Sequence, residues 1–424
     1  MLLAIAPRQR KSRRLLPFKI RHGLPPYKFG RFSLSQGQAI NQTAPLSAMR
    51  CHPGIETLYF LSMAKLSSLI EIHRSNGAVF LEKDGWLLPA QFGDVESEYR
   101  TVRTDAGLLD FSHRGLLQFT GPDRLSFLQG MLSNDLRALK TFDGANATLL
   151  TQQGKVIADV RVLCAMNSFY LDFWETLQEK ILAHLNRYLI ADEVEIADRS
   201  REYSTISIQG PKADALLRQV LASAVNLPAR SKQHSMIDID GAAICVINDS
   251  HTGEPGYDLI IPRSHLADIA AKLTLVGKAL SVAWVGEEAL NILRVEAGIP
   301  RYGIDFTEDN LLLEVGIEDA VSFTKGCYLG QEVVERIRSR GHVNKRLSGL
   351  LLDGERPAKS GDVIEAASKQ IGAVTSSVFS PALKRAIALG YLIKDFWAPG
   401  GEVLIKSDTP RRASVTPLPF LRSS

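Results

Sequence analysis

Cysteine is scarce in this chain, and the spacing of the few that occur excludes two kinds of stabilising site. Of the 424 residues, four are cysteine, no two of them form a CxxC pair, and they stand at Cys51, Cys164, Cys245 and Cys327. No histidine lies close to them at zinc-ligand spacing. The sequence therefore predicts neither a disulfide framework nor a structural zinc site, and we expect no bound metal.

Long apolar runs are also missing. No stretch approaches the roughly 20 consecutive apolar residues that a membrane-spanning helix needs, so we expect no membrane partner. The chain is 45% hydrophobic and 23% charged, which is enough apolar material for two or three globular domains. No secretory signal is evident, so a cytoplasmic location is the default expectation, and we expect a monomer.

Acidic residues are nearly absent from the first 62 positions. This segment has ten Lys and Arg and one acid, Glu56, whereas the remainder has 40 basic and 45 acidic residues. Without a helical or alternating period, residues 1–62 are predicted to be a disordered basic extension. Three origins stay open: a tail that touches RNA or a membrane, a transit-like segment, or sequence upstream of a start at Met63. We favour the last and expect no stable nucleic-acid binding.

From Met63 onward, short helices alternate with hairpins. Two blocks with this pattern, residues 63–202 and 203–340, predict an α+β body of two layered α/β subdomains of the ferredoxin-like type. Short strands broken by Gly, Pro and Asp then predict a small β-barrel over residues 341–415. Residues 416–424, where Pro and Ser return, are predicted to be a disordered tail.

Three polar residues stand out in this pattern. Glu254 lies at the head of a hairpin between two glycines, where a carboxylate can accept two N–H donors from a planar ligand, although composition alone favours an exposed turn acid there. Arg294 lies in an apolar helical stretch and either binds a carboxylate or pairs with Glu296 or Glu288. Asp135 is predicted to be a local capping residue.

The segment TKGCYLGQE places Cys327 near Lys325, before a helix that starts near Gly330. A neighbouring ammonium group and a helix N-terminus both stabilise a thiolate, which favours a reactive thiol. A free cysteine is nonetheless most often a small buried apolar residue. From spacing alone both interpretations stay open.

The motif KGCYLGQE resembles the signature of the YgfZ family, tetrahydrofolate-binding proteins that are similar to the glycine-cleavage aminomethyltransferase (T-protein, GcvT) and support iron–sulfur cluster assembly or repair. TGEPGYDL, LRVEAGIPRYGID and IGAVTSSVFSP resemble blocks that the aminomethyltransferases share. The resemblance extends from Met63 to about Lys406. It implies a GcvT-like body with a central cavity for tetrahydrofolate or a one-carbon derivative.

The resemblance also implies roles for single residues. Glu254 would contact the pterin edge, Arg294 the folate, and Tyr302 would lie near both in the cavity. Cys327 would be a distinctive thiol at the cavity edge, with Lys325 beside it.

One departure separates the two branches of this resemblance. Aminomethyltransferases have a stretch similar to GGxxDDLxV, and the corresponding stretch of this chain is GKVIADVRV. Ala158 therefore stands in place of the aspartate that is assigned to catalysis in those proteins. In a strand, Ala158 and Asp159 face opposite sides, which suggests that Asp159 cannot replace the missing acid. We therefore expect weak or absent aminomethyl transfer.

The predicted function is folate-linked support of iron–sulfur enzymes, including tRNA-modifying ones, with iron–sulfur client or assembly proteins as partners. The alternative is a folate-dependent aminomethyltransferase.

Overall fold

The structure of the protein is a computed structural model that describes residues 64–221, 225–341 and 343–421. The predicted basic extension, residues 1–62, lies outside the described residues. The first elements of the described chain are β1 (Lys65–Leu66), α1 (Ile70–Ser75), β2 (Val79–Lys83), β3 (Trp86–Gln91), α2 (Val95–Thr104) and β4 (Gly107–Asp110). β3 lies between β1 and β2 in a small sheet. Asp84 and Gly85 join β2 to β3 at φ values of 54° and 74°, the geometry of a type I′ hairpin turn.

A five-stranded antiparallel sheet follows. Its elements are β5 (Arg114–Thr120), α3 (Arg124–Met131), β6 (Gly144–Leu150), β7 (Val156–Cys164), β8 (Phe169–Trp174), α4 (Gln178–Tyr188) and β9 (Glu195–Asp198), with strand order β6-β7-β8-β5-β9. Alternate residues along β5, β7 and β8 are apolar, and this face packs against α3 and α4 in one core. The period of two therefore produces a sheet-and-helix layer with one face left for other contacts.

A six-stranded sheet forms the second layer of the body. It is built from β4 together with β10 (Tyr203–Gln209), α5 (Ala213–Leu221), β11 (His234–Ile239), β12 (Ala242–Asn248), β13 (Gly256–Pro262), α6 (Leu266–Gly277) and β14 (Ala283–Trp284), in the order β11-β12-β13-β10-β4-β14. α5 and α6 share an apolar core with it. Because β4 pairs with β10, this sheet takes a strand from the segment that the sequence assigned to the first subdomain.

Helices connect the body to a closed barrel. They are α7 (Glu287–Glu296), α8 (Leu312–Val315) and α9 (Gln331–Arg340), and the barrel strands are β15 (Lys345–Leu352), β16 (Val363–Ala366), β17 (Lys369–Ser380), β18 (Arg385–Ile393), β19 (Glu402–Lys406) and β20 (Arg411–Thr416). Short 3-10 turns cover Glu175–Leu177, Arg263–His265, Lys278–Leu280 and Glu318–Ala320. The predicted α+β class, with layered subdomains and a small barrel, is confirmed. Within the described residues, no helix has the length and apolarity to cross a membrane.

The tail predicted to be disordered from residue 416 is packed as far as residue 421. Leu418 and Phe420 contact an apolar cluster between α7 and the barrel, and the Phe420 N–H donates to the Glu296 carbonyl at 2.9 Å. The expectation is wrong for residues 416–421, because a composition rich in Pro and Ser does not reveal that two apolar side chains have a site to fill.

We predict that replacing both Leu418 and Phe420 by alanine lowers the free energy of unfolding by about 1–3 kcal/mol, because partly buried apolar area is lost. Urea unfolding followed by circular dichroism measures the change. Ile190→Ala is the control, since Ile190 is 88% exposed. Equal effects of the double variant and the control would show that the tail does not stabilise the barrel.

Candidate functional site

A single arginine joins the two large sheets. Arg161 on β7 is 3% exposed, and its Nη1 donates to Asp249 and Asp258 at 2.6 Å each. Its Nη2 donates to Asp172 on β8. Asp172 belongs to the five-stranded sheet, whereas Asp258 lies on β13 and Asp249 directly after β12 in the other sheet. One buried guanidinium therefore binds carboxylates from both sheets. The attraction between the opposite charges offsets the free-energy cost of burying them.

The same cluster contains the one group of carboxylates and histidine whose spacing suits a metal within the described part of the chain. The ligand atoms of Asp249, His251 and Asp258 lie within 4.8 Å of one another. However, Arg161 bonds to both carboxylates and Lys232 donates to Asp249. Burial alone would raise the pKa of Asp258, but His251 and Arg161 outweigh it and hold this pKa far below its usual range. Side-chain cations of the chain thus neutralise the cluster.

Beside the cluster lies a cavity of about 380 Å³, within the roughly 300–1,000 Å³ typical of small-molecule sites. Its walls come from β5, β6, β7, the end of β8, the segment between β12 and β13, α7, and the loops that follow α7 and α8. Its lining cations are Arg114, Arg161, Lys232, Arg294 and Arg301. Its lining acids are Asp159, Asp249 and Asp319.

Asp159 is the acid of this cavity that has a buried oxygen without a hydrogen-bond partner among the described residues. Its Oδ1 atom is buried and accepts no hydrogen bond among the described residues. Burial raises the pKa of Asp159, and the charge of Arg114, a hydrogen bond from its own backbone N–H and the charge of Arg301 only partly oppose this. Buried polar atoms without partners are uncommon in native proteins, so this oxygen points to a ligand that donates a hydrogen bond.

Ala158 faces away from the cavity. It is 0% exposed and lies in the core between the five-stranded sheet and its helices, together with Val160 and Val162. The predicted alternation along β7 is therefore confirmed, and the side chain that the strand turns to the cavity is that of Asp159, not of Ala158. The strand does present an acid to the cavity, and that acid is Asp159.

An aromatic wall faces the same space. The Trp174 ring stacks on His113 with centroids 5.0 Å apart, and the Phe111 ring meets it edge-on at 5.9 Å. The guanidinium carbons of Arg114 and Arg301 lie 4.8 and 4.4 Å from the Trp174 centroid. Burial lowers the pKa of His113 to about 3, so this imidazole is neutral at physiological pH. A neutral ring beneath the indole leaves the two arginines as the charged groups of this wall.

Arg294 lines the cavity but pairs with neither glutamate considered from the sequence. Its Nη1 donates to Asp305 at 2.6 Å and to the Ile299 carbonyl at 3.2 Å. Its Nε donates to Asn291 and its Nη2 to the Ser376 hydroxyl on barrel strand β17. The side chain therefore links α7 to the barrel at the edge of the cavity.

Glu254 and Tyr302 stand outside the described lining of this cavity. The Arg103 guanidinium donates to Glu254 at 2.7 Å, and both side chains are 18% exposed. The Tyr302 hydroxyl accepts from Lys180 at 3.3 Å, and its ring meets Phe306 edge-on at 5.3 Å. Their folate contacts stay predictions.

Lys325 is buried at the C-terminal end of α3. Its ammonium group donates to the carbonyls of Gln129, Leu132 and Asn134 at 2.7, 2.6 and 2.8 Å. These carbonyls lie where helix carbonyls run out of partners. Burial lowers the Lys325 pKa to about 8. Because its three N–H donors are used, Lys325 fixes the loop that carries Cys327.

Cys327 itself is exposed, so the interpretation as a buried apolar residue is wrong for this thiol. Next to it, Gly330 has φ 85°, and a Cβ there would come 2.5 Å from the Thr151 carbonyl oxygen. Only glycine fits this approach, which starts α9 directly after the loop. Asp135 accepts from the Arg137 N–H at 3.1 Å, a local capping contact.

Sequence reasoning missed most of the cavity residues, among them Arg114, Trp174 and Arg301. A signal existed for Arg161 and Asp159, because residues two apart on a strand share a face, and both are charged in an otherwise apolar run. No comparable signal marks Arg114 and Arg301, which are 187 positions apart and meet only through the fold.

Two family models match the chain: the GCVT N-terminal domain over residues 69–325, and the glycine cleavage T-protein C-terminal barrel domain over residues 345–421. An aminomethyltransferase of Rubrobacter xylanophilus is 33% identical over 84% of this chain and 93% of that protein. An aminomethyltransferase of Caldanaerobacter subterraneus subsp. tengcongensis is 29% identical over 86% of this chain and 98% of that protein. The crystal structure of glycine cleavage system aminomethyltransferase T from Bartonella henselae matches with a TM-score of 0.78 and 26% identity. The match covers 84% of this chain and 98% of that chain.

We predict that Ala158→Asp destabilises the protein by more than about 3 kcal/mol, because it places an unpaired carboxylate in an apolar core. Asp159→Ala, on the cavity side of the same strand, should cost less than about 1 kcal/mol. Urea unfolding of both variants provides the comparison. An Ala158→Asp variant as stable as the parent would contradict the assignment of the two faces.

Proposed function

This chain belongs to the glycine cleavage T-protein family, and from that premise we propose that it is a folate-dependent aminomethyltransferase. Tetrahydrofolate or a one-carbon derivative would bind in the cavity beside the Arg161 cluster. The observation that carries the proposal is the buried Oδ1 of Asp159 on the cavity wall, which has no hydrogen-bond partner among the described residues. The names of the aminomethyltransferase relatives favour this alternative over iron–sulfur support as the main function.

The cavity residues fit a folate. A pterin is planar and rich in N–H donors, and the cavity offers an aromatic wall at Trp174 and an unfilled acceptor at Asp159. Arg294 uses four of its five N–H donors within the described structure, so one Nη2 proton remains for a ligand. Glu254 keeps Oε2 without a described hydrogen bond, and Tyr302 lies on the loop after α7, which supports keeping both as proposed folate contacts.

Asp159 would be the acid–base group of the reaction. When bound, tetrahydrofolate supplies the nitrogen that accepts the one-carbon unit. Asp159 would accept a hydrogen bond from the bound ligand and exchange a proton at Oδ1. Its raised pKa brings proton exchange closer to neutral pH, where acid–base catalysis is most effective. The buried guanidinium of Arg161, two residues along β7, would keep the strand in place during this exchange.

We predict that Asp159→Asn lowers the rate of folate-dependent aminomethyl transfer by about 10²–10⁴-fold, the usual contribution of a positioned acid or base. The amide keeps the shape of the side chain, so tetrahydrofolate should still bind in a calorimetric titration.

Asp319→Asn is a matched control, because Asp319 also lines the cavity but accepts a hydrogen bond from Asn146 at 2.6 Å. It should lose much less activity. Equal losses in the two variants would remove Asp159 from the proposed role, and no folate binding by the folded parent would refute the function.

The second proposed function is support of iron–sulfur enzymes, as the resemblance to the YgfZ family implies. The observation in its favour is that Cys327, in the motif KGCYLGQE, is exposed on a loop anchored by Lys325. One thiol cannot ligate a cluster alone, so a client or assembly protein would have to supply the other ligands. Transient thiol contact or reversible oxidation would serve the same role.

We predict that Cys327→Ser fails to restore iron–sulfur enzyme activity in cells that lack the native protein, while purified Cys327→Ser keeps its folate binding and transfer rate. Asp159→Asn should show the opposite pattern. Full restoration by Cys327→Ser would exclude a role for the thiol.

A further inference from the structure

His251 lines the cavity on the segment between β12 and β13, and its surroundings hold the imidazole in one orientation. Its Nε2 lies 3.0 Å from Oδ2 and 3.2 Å from Oδ1 of Asp258. The Phe111 ring meets the imidazole edge-on, with the ring centroids 4.9 Å apart. The backbone N–H of His251 donates to the Gln209 side chain at 2.9 Å. The ring and the backbone of this residue are therefore both fixed.

The contact with Asp258 assigns the tautomer of this imidazole. Asp258 is buried and accepts from Arg161 at 2.6 Å. Although burial opposes its charge, His251 and Arg161 hold the pKa of Asp258 far below its usual range. An ionised carboxylate can only accept hydrogen bonds, so the proton between the two groups belongs to Nε2. In the neutral imidazole, Nδ1 then keeps its lone pair and is an acceptor.

This Nδ1 acceptor is open to a ligand. It has no hydrogen-bond partner among the residues that the structure describes, and it is not a buried atom. The His251 side chain is 19% exposed, and the open space that it lines is the cavity. The buried Oδ1 of Asp159 is another acceptor without a described partner in the same cavity. Two different walls therefore each offer an acceptor to one ligand.

The oxidation state of a folate decides whether its ring can satisfy two such acceptors. In folic acid, the ring nitrogens N5 and N8 have lone pairs and no hydrogen. In 7,8-dihydrofolate N8 carries a hydrogen, and in tetrahydrofolate both nitrogens do. A site that is built to accept from an N–H group rejects an analogue without it, because the acceptor is then left unsatisfied.

The two acceptors suit the two sides of the ring. N5 lies on the side that takes up the one-carbon unit, where Asp159 is the proposed acid–base group. N8 lies on the opposite side, close to the 2-amino group of the pterin edge. Glu254, the proposed contact of that edge, follows His251 by three residues on the same segment. N8 is therefore the ring nitrogen that falls to His251.

We propose that His251 accepts a hydrogen bond at Nδ1 from the N8–H group of a reduced folate, and that it thereby makes the cavity select against oxidised folate. The inference rests on the proposed function, because it names the residue that distinguishes forms of the same ligand. The aromatic wall at Trp174 cannot supply this selectivity, since a planar oxidised ring stacks on an indole at least as well as a reduced one.

The test is calorimetric titration of the full chain, without oxygen and at about pH 8, where an ordinary imidazole is neutral. Folic acid and 7,8-dihydrofolate are the two probes. We expect the parent to bind dihydrofolate about 10–100-fold more tightly, because one hydrogen bond replaces one unsatisfied acceptor. His251→Phe keeps a planar ring without the acceptor, so it should bind both probes with equal affinity. A general loss of affinity cancels in this ratio.

A second histidine provides the matched control. His265→Phe should keep the ratio of the parent, because His265 is outside the cavity lining and contacts Ser264 at 2.9 Å. In His251→Phe, Asp258 still accepts from Arg161, which favours a folded variant. The ratio in the parent decides the question even if this variant does not fold.

The outcomes separate this inference from the proposed function. Equal affinity of the parent for folic acid and dihydrofolate would overturn the role of His251, and tetrahydrofolate binding would then leave the folate function standing. A His251→Phe variant with the ratio of the parent would also overturn it, because the selectivity would lie elsewhere. A folded parent that binds neither probe nor tetrahydrofolate would refute the folate function and the inference together.

Discussion

The bond network of Arg161 is the constraint on which the site depends. Three carboxylates meet one buried guanidinium, and they come from β8 in one sheet and from β13 and the end of β12 in the other. Each charge is tolerable in the interior only while the others are present. The two sheets therefore cannot slide past each other without exposing or isolating charge, and the cavity wall between them keeps a defined shape.

The cavity chemistry follows from the same strand. Along β7, Asp159 and Arg161 share one face because strand side chains alternate, while Ala158, Val160 and Val162 fill the core on the other. Arg161 binds three acids, whereas no cationic nitrogen of the residues that the structure describes lies within ion-pair distance of Asp159. A buried carboxylate oxygen without a partner, such as Oδ1 of Asp159, lowers the stability of the fold. Its presence here therefore indicates a ligand and not a structural role.

Local sequence patterns predicted the layered body, the barrel and the opposing faces of β7, because these features depend on residue spacing within one segment. Pairing and packing between residues that are distant in the sequence could not be predicted from such patterns. β4 joins the six-stranded sheet through pairing with β10, and Leu418 and Phe420 fill a cluster made by distant residues. The cavity acid was misjudged for a related reason. A motif alignment names the position that matters in relatives, but the buried face of this strand decides which side chain reaches the cavity.

The thiol loop and the cavity are mechanically linked. Ser133, at the end of α3, donates from its hydroxyl to the Ala320 carbonyl at 2.6 Å, and its carbonyl accepts from the Ser322 N–H at 3.0 Å. Lys325 anchors the same loop a few residues later, and Ala320 lines the cavity. A ligand that moved Ala320 would have to strain these bonds or carry the Cys327 loop with it. The two proposed functions therefore need not be rivals, because occupancy of the cavity and presentation of the thiol share one short, well-anchored segment.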